Sequence, residues 1–373
     1  MSSTAKAAAS RQCIQQIDAS ALPARRLFSV HLLTPRVFDE YRAGLDAFIV
    51  HYYSRTSNHT VVLVTPLQHL NEAATFLQRL GGTTHAACTL PPPHARTLHR
   101  YFRGVHFVLH GVSVSVPSKY AAMQATCNGR NWTRDYAIYS GAFFVAQLIW
   151  EELLDRCDFY VKMDTDVTFL RPMPYDLAAR LAEMPRAVIV HTGFDPGVHR
   201  RKHHPVPIPD RTTCERGILQ ALRSYRKALG ASSFESFESS DTSTAAMSTR
   251  GAAAEMAPWC EQGTGIPEVF YGNFVAYRAA FMRSEAVLSL SRHLYYEVGE
   301  GYFEWRWGDQ ASPVAFVCHM LPAVSLTGGD ERVVLLDNLR NHIFRHGRKK
   351  AATGKGAKKK VATTKYTSWL FTL

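Results

Sequence analysis

The sequence predicts an α/β fold, a sheet with parallel strands covered by helices. Three observations point there. Strand and helix patterns alternate from residue 26 to 80 at the pitch of a parallel unit. A further apolar strand, 158–170, is interrupted by acids. The 373 residues are 46% hydrophobic and 20% charged, an ordinary globular balance that excludes a disordered chain and gives a core needing no disulfides.

In order, 26–34 reads as a buried strand. Residues 37–53 follow with Phe38, Tyr41, Leu45, Phe48, Ile49 and Tyr52 at helical spacing. Residues 60–65 form a second buried strand closed by Pro66, and 69–80 a helix stopped by Gly81 and Gly82. Residues 100–116 are strand-rich with alternation, and 136–154 is a helix apolar on most faces, hence buried. After the strand at 158–170 come a short helix (175–183) and a strand (186–191). The pattern breaks at 199–262, read as an insertion around one helix (214–229), with the Ser/Thr/Ala-rich stretch 231–257 disordered. A strand (269–277) and two helices (280–297 and 309–321) complete the domain, which spans 25–347. Residues 1–24 read as a disordered leader and 348–373 as a basic low-complexity tail.

The net charge of +12 is uneven: ten Lys and Arg lie from Arg340 onward with no acid, leaving +2 for the first 339 residues. A nucleic-acid-binding domain carries its basic residues on a folded face, so no specific nucleic-acid partner is expected. The tail reads as a solvated extension, with contact to a phosphate or membrane surface as the alternative. Seven scattered cysteines without C-x-x-C argue against the usual zinc sites and fit a reduced protein or a lumenal one with a few disulfides. Two sequons, at Asn58 and Asn131, lean toward the secretory pathway. No signal peptide or membrane span is expected, since the longest clean apolar run, 142–150, is far below the ~20 residues a span needs.

Chemistry concentrates in three places. Asp164-Thr165-Asp166 interrupts an apolar strand, and charge there is costly unless paired or bound to metal. Two carboxylates one residue apart at a strand end can hold Mn²⁺ or Mg²⁺ against a diphosphate, at the edge where open α/β sheets bind ligands. No phosphate-loop, dinucleotide or nucleophile-elbow motif is present. The block 299–309 places Glu300, Glu304 and Asp309 among Tyr302, Phe303, Trp305 and Trp307, the mixture of rings and acids that holds sugars. Asp337, Arg340, His342 and His346 close the fold, and an imidazole there could complete a metal site.

These blocks together resemble glycosyltransferase family 15, the fungal-type α-1,2-mannosyltransferases of the Golgi. The resemblance rests on 139–144, 158–166 and 175–176, then on 270–274 followed by Phe281-Met282-Arg283-Ser284-Glu285, on 301–309, and on 337–342. It implies a GT-A-like nucleotide-sugar transferase fold with a mixed, mainly parallel central sheet. It also implies a Golgi or secretory-lumen location, Mn²⁺ or Mg²⁺, a GDP-mannose donor, and transfer with retention to a mannose-containing glycan of protein or lipid. By motif, Asp164, Asp166 and His342 match the metal ligands. Ser140, Gly141, Arg134 and Asp164 fall on the donor side. Tyr271, Asn273, Tyr302, Trp305 and Trp307 fall on the acceptor side, with Asp309 the acid near the acceptor. Two positions depart from the pattern. Val275 stands where the family has a Glu beside the anomeric carbon, and Ala137 stands where it has an Arg. Glu304 and Asp309, with Glu268 behind them, are the carboxylates expected to replace that Glu. The departures leave open a non-catalytic relative, or one using another sugar nucleotide.

Overall fold

The computed structural model describes residues 14–80, 96–122, 126–127, 130–131, 138–195, 217–229, 269–270, 272–303, 307–308, 311–321, 331–336, 339 and 342–346. Its strands are β1 (Gln15–Gln16), β2 (Arg25–Leu32), β3 (His59–Pro66), β4 (Thr97–Phe102), β5 (Val105–Val112), β6 (Thr126–Cys127), β7 (Arg130–Asn131), β8 (Cys157–Met163), β9 (Val167–Phe169), β10 (Ile189–His191), β11 (Phe194–Asp195), β12 (Val269–Phe270), β13 (Phe274–Arg278), β14 (Val333–Leu335) and β15 (Phe344–His346). Nine of them form one sheet in the order β1-β4-β5-β3-β2-β8-β13-β10-β14. β5, β3, β2 and β8 are mutually parallel at its centre, and the flanks are mixed. This is the mixed, helix-flanked sheet expected from the sequence. β3 is buried along its whole length, as its run of Val and Leu requires of a strand covered on both faces.

Helices α1 (Phe38–His51), α2 (Leu70–Arg79) and α3 (Leu177–Ala182) cover one face. The other face carries a π-helical segment (Ile138–Gln147), α4 (Ile218–Leu229), α5 (Ala279–Met282), α6 (Glu285–Arg292), α7 (Glu300–Phe303) and α8 (Ser312–Met320). Strand alternation divides the core between the faces. Phe159, Val161 and Met163 of β8 pack with α1 and α3, whereas Tyr160 packs on the opposite side with Phe143, Phe144 and α8. β4 and β5 join through Arg103 and Gly104, both at positive φ (50° and 76°), the two-residue turn that suits the strands' twist.

Two expectations are corrected, at the leader and at the helix of 280–297. The leader is not wholly outside the fold: Gln15 and Gln16 pair with β4, and Ile14 and Leu22 are buried. Two-residue edge pairing leaves no periodicity to read. The helix expected within the insertion is present as α4, and it packs into the core because Ile218, Leu219, Leu222 and Tyr225 recur on one helical face. Tyr225 hydroxyl lies 2.7 Å from Ser289 Oγ of α6. The helix expected at 280–297 is broken at Arg283 and Ser284, where the Arg283 guanidinium turns back to Asp155 and to the Ile149 and Glu151 carbonyls. The stretch 231–257 and the tail lie outside the described residues. Among the described residues, no helix is long and apolar enough to cross a membrane.

Candidate functional site

β8 delivers Asp164 to the carboxyl edge of the sheet's parallel centre. A tight turn follows, Val167 N donating to Asp164 O at 3.1 Å, and it sets Asp166 beside Asp164. The chain then leaves the main sheet as β9, which pairs antiparallel with β15. That register puts His346 opposite Val167, next to the turn. One ligand atom each from Asp164, Asp166 and His346 can be chosen so that all three lie within 4.8 Å of one another. His346 Nε2 is 3.0 Å from Asp166 Oδ1 and 3.6 Å from Asp164 Oδ2. The hydrogen bond to Asp166 is the largest influence on the imidazole and raises its pKa above 6.5, against the opposing effect of burial.

Asp164 is held from behind. Lys162, two residues earlier on the same face of β8, is a buried cation with a side chain only 4% exposed. Its ammonium donates to Asp164 Oδ1 at 2.5 Å and to the Gly272 carbonyl at 2.6 Å, and lies 5.1 Å from the Phe144 ring. Asn273 Nδ2 donates to Asp164 Oδ2 at 2.5 Å, and Asp164 N donates to the Asn273 carbonyl at 3.1 Å. Among the described residues each carboxylate oxygen accepts from one donor, and a carboxylate oxygen has a second lone pair for a further partner.

These residues fit a divalent cation. The donors are two carboxylates and one imidazole, a mixed oxygen-and-nitrogen set of the kind that holds divalent metals. Ligating carboxylates are ordinarily fixed by outer hydrogen bonds, as Asp164 is.

Asp164 and Asp166 thus lie where the sequence puts them. His342 does not join them: it is exposed on the turn before β15, four residues ahead of His346, and is not in the group whose ligand atoms come together. The imidazole at the cluster is His346. Asn273, expected on the acceptor side, bonds to Asp164 instead. Tyr302 and Trp307 are buried core rings rather than sugar platforms. Tyr302 hydroxyl is 3.0 Å from Ser312 Oγ, its ring meets Trp307 edge-on, and burial pushes the phenol pKa up. Ser140 and Gly141 fall on the π-helical segment. Arg134, Tyr271, Glu304, Trp305, Asp309 and Glu268 lie outside the described residues. Val275 is 0% exposed, between Lys162 of β8 and His191 of β10 in the sheet register. Lys162 was missed, although a charged residue two positions before Asp164 in an apolar strand is itself a signal.

Fold and site define an α/β protein with a candidate divalent-cation centre at the carboxyl edge of its sheet. Solved structures similar to it include the mannosyltransferase Ktr4p from S. cerevisiae, 10% identical, with a TM-score of 0.48 over 83% of this chain and 70% of that one. Core-mannan synthase A (CmsA/Ktr4) from Aspergillus fumigatus, in an Mn/GDP form, is 12% identical, with a TM-score of 0.48 over 83% of this chain and 76% of that one. The mannosyltransferase PcManGT from Pyrobaculum calidifontis, in complex with GDP-Man and Mn²⁺, is 11% identical, with a TM-score of 0.31 over 90% of this chain and 63% of that one. No protein-family model and no curated protein matches the chain.

Proposed function

We propose that the chain is a divalent-metal-dependent glycosyltransferase that moves mannose from GDP-mannose to a mannose-containing glycan with retention. The observation that carries this reading is the Asp164–Asp166–His346 cluster at the end of a central strand, in the sequence context that resembles the mannosyltransferases. A bound Mn²⁺ or Mg²⁺ would bridge the donor diphosphate and offset charge on the leaving nucleotide. The chain's own part is to hold that geometry: Lys162 and Asn273 fix the Asp164 carboxylate, and β15 brings in His346. Ser140, Gly141 and Arg134 are assigned to the donor, and Tyr271 and Trp305 to the acceptor. Asp309 and Glu304 are assigned to the reacting centre, and losing either positioned acid should cut turnover at least ~10²-fold.

A screen of sugar nucleotides with Mn²⁺, read by release of the nucleotide, tests the proposal. Release from GDP-mannose that stops on chelation supports it; no metal-dependent release from any donor refutes it. Val275, uncharged where the resemblance places a Glu, favours a second reading, a relative that binds a sugar nucleotide without turning it over. Donor binding with no turnover is its signature. The secretory lumen is the proposed location. Disulfide bonding of the buried Cys318 supports it, because such bonds persist in oxidising compartments.

A further inference from the structure

The Asn58-His59-Thr60 tripeptide has no part in the candidate site. Asn58 is exposed on the turn that enters β3, at a φ of 42°. The turn is pinned: Leu27 N donates to the Asn58 carbonyl at 3.3 Å, and Ser57 N donates to Asp176 Oδ2 at 3.0 Å. Arg25 Nη1 reaches Asn58 Oδ1 only at 3.5 Å, and among the described residues Asn58 Nδ2 donates to none.

Thr60 is the reverse. It is 1% exposed, and its Oγ1 is buried with no hydrogen-bond partner among the described residues. A buried, unsatisfied hydroxyl costs stability, and valine has the same branched shape without that cost. Nothing described in the folded protein uses this oxygen, but the nascent chain can. A hydroxyl at the third position makes Asn-x-Thr an acceptor for N-linked oligosaccharide. Burial of Thr60 also means that such a transfer precedes docking of β3.

We infer that Asn58 is an N-glycosylation site, an inference that rests on the lumenal location proposed above. In the transfer, Asn58 Nδ2 loses a proton and bonds to C1 of an oligosaccharide carried on a lipid diphosphate. The bond from C1 to the diphosphate oxygen breaks, and the lipid diphosphate leaves with the electron pair and takes up the proton. The glycan stands away from the metal centre. His59 and Phe159 both pair with Leu27 at the starts of parallel strands. Asp164 lies five residues beyond Phe159, roughly 16 Å further along the strand.

The full chain, carrying a cleavable secretion signal and Asn131→Gln, is produced in a eukaryotic host and recovered from the medium, so that it has passed through the lumen whatever its natural route. Mass spectrometry after peptide-N-glycosidase treatment is expected to find Asn58 converted to Asp. Thr60→Ser should keep the glycan and Thr60→Val should lose it. In an Asn58→Gln background, where neither protein is glycosylated, adding Thr60→Val should raise Tm by about 2–4 °C. An unmodified Asn58 in the secreted chain overturns the inference, as does a Thr60→Val variant that melts lower in that background. Fractionation of the source cells tests the lumenal reading separately, since a cytosolic chain would sink that reading whatever the secreted protein shows.

Discussion

Asp164 has little freedom, because Lys162 and Asn273 each take one of its oxygens. Losing an outer partner of a metal ligand typically costs 10–100-fold in affinity. Lys162→Met should therefore weaken Mn²⁺ binding by about that factor while Asp166 and His346 stay in place, a loss that calorimetric titration of the metal measures directly. The two histidines near the end of the fold separate the expected site from the observed one. His346→Ala should weaken Mn²⁺ binding at least as much as Lys162→Met, whereas His342→Ala should leave it unchanged. The reverse result would restore His342 to the centre. The acids were legible in the sequence because charge inside an apolar strand demands a reason. The choice between His342 and His346 was not, since it depends on the register of β15 against β9, which spacing along one chain does not fix.

At the scale of elements, the long strands were legible and the aromatic block was misread. Residues 299–309 carry the rings and acids of a sugar site, yet Tyr302 and Trp307 turn inward. The cause lies in Gly301. A Cβ there would fall inside the Trp307 ring, and Trp307 N donates to the Gly301 carbonyl at 2.6 Å, so α7 and the indole close on each other. Composition cannot say which way such a ring faces; close backbone approach decides it. Gly301→Ala should cost about 1–3 kcal/mol of stability, the usual cost of overpacking, seen as a lower melting temperature. An unchanged melting temperature would show that Trp307 moves aside freely. β1 and the break at Arg283 escaped notice for a related reason. One rests on two residues of edge pairing and the other on a guanidinium reaching a distant loop, and neither leaves a periodic trace.

Across the whole molecule, the sheet buries several histidines in neutral form. Burial holds His31 and His59 at about 3, and His106 at about 4. In the unfolded chain each titrates near 6.5. Below that pH the unfolded state binds protons that the folded state refuses, so stability is full above pH 6.5 and falls as pH drops toward 3. Each such histidine contributes up to about 1.4 kcal/mol per pH unit within that window. His31 packs edge-on against Tyr41 and Phe48, and neither ring nitrogen has a hydrogen-bond partner among the described residues. His31→Phe should therefore lose less stability than the wild type between pH 7 and pH 5, read from urea midpoints. Equal losses in the two proteins would remove His31 from the acid response.

The ribbon of β9 and β15 has a consequence for the order of assembly. It joins Asp166 to His346 across about 180 residues, and closing a loop of that length carries an entropic cost that local pairing does not. β2, β3 and β8 can align before the last segment arrives, because their pairings need nothing beyond residue 163. A chain still emerging from the ribosome would then own both aspartates and a large part of its sheet, yet have no imidazole to close the centre. Capture of a divalent cation at this candidate centre would then be a late event, and the rate at which affinity for the cation returns during refolding would be a clock for the final closure rather than for formation of the sheet.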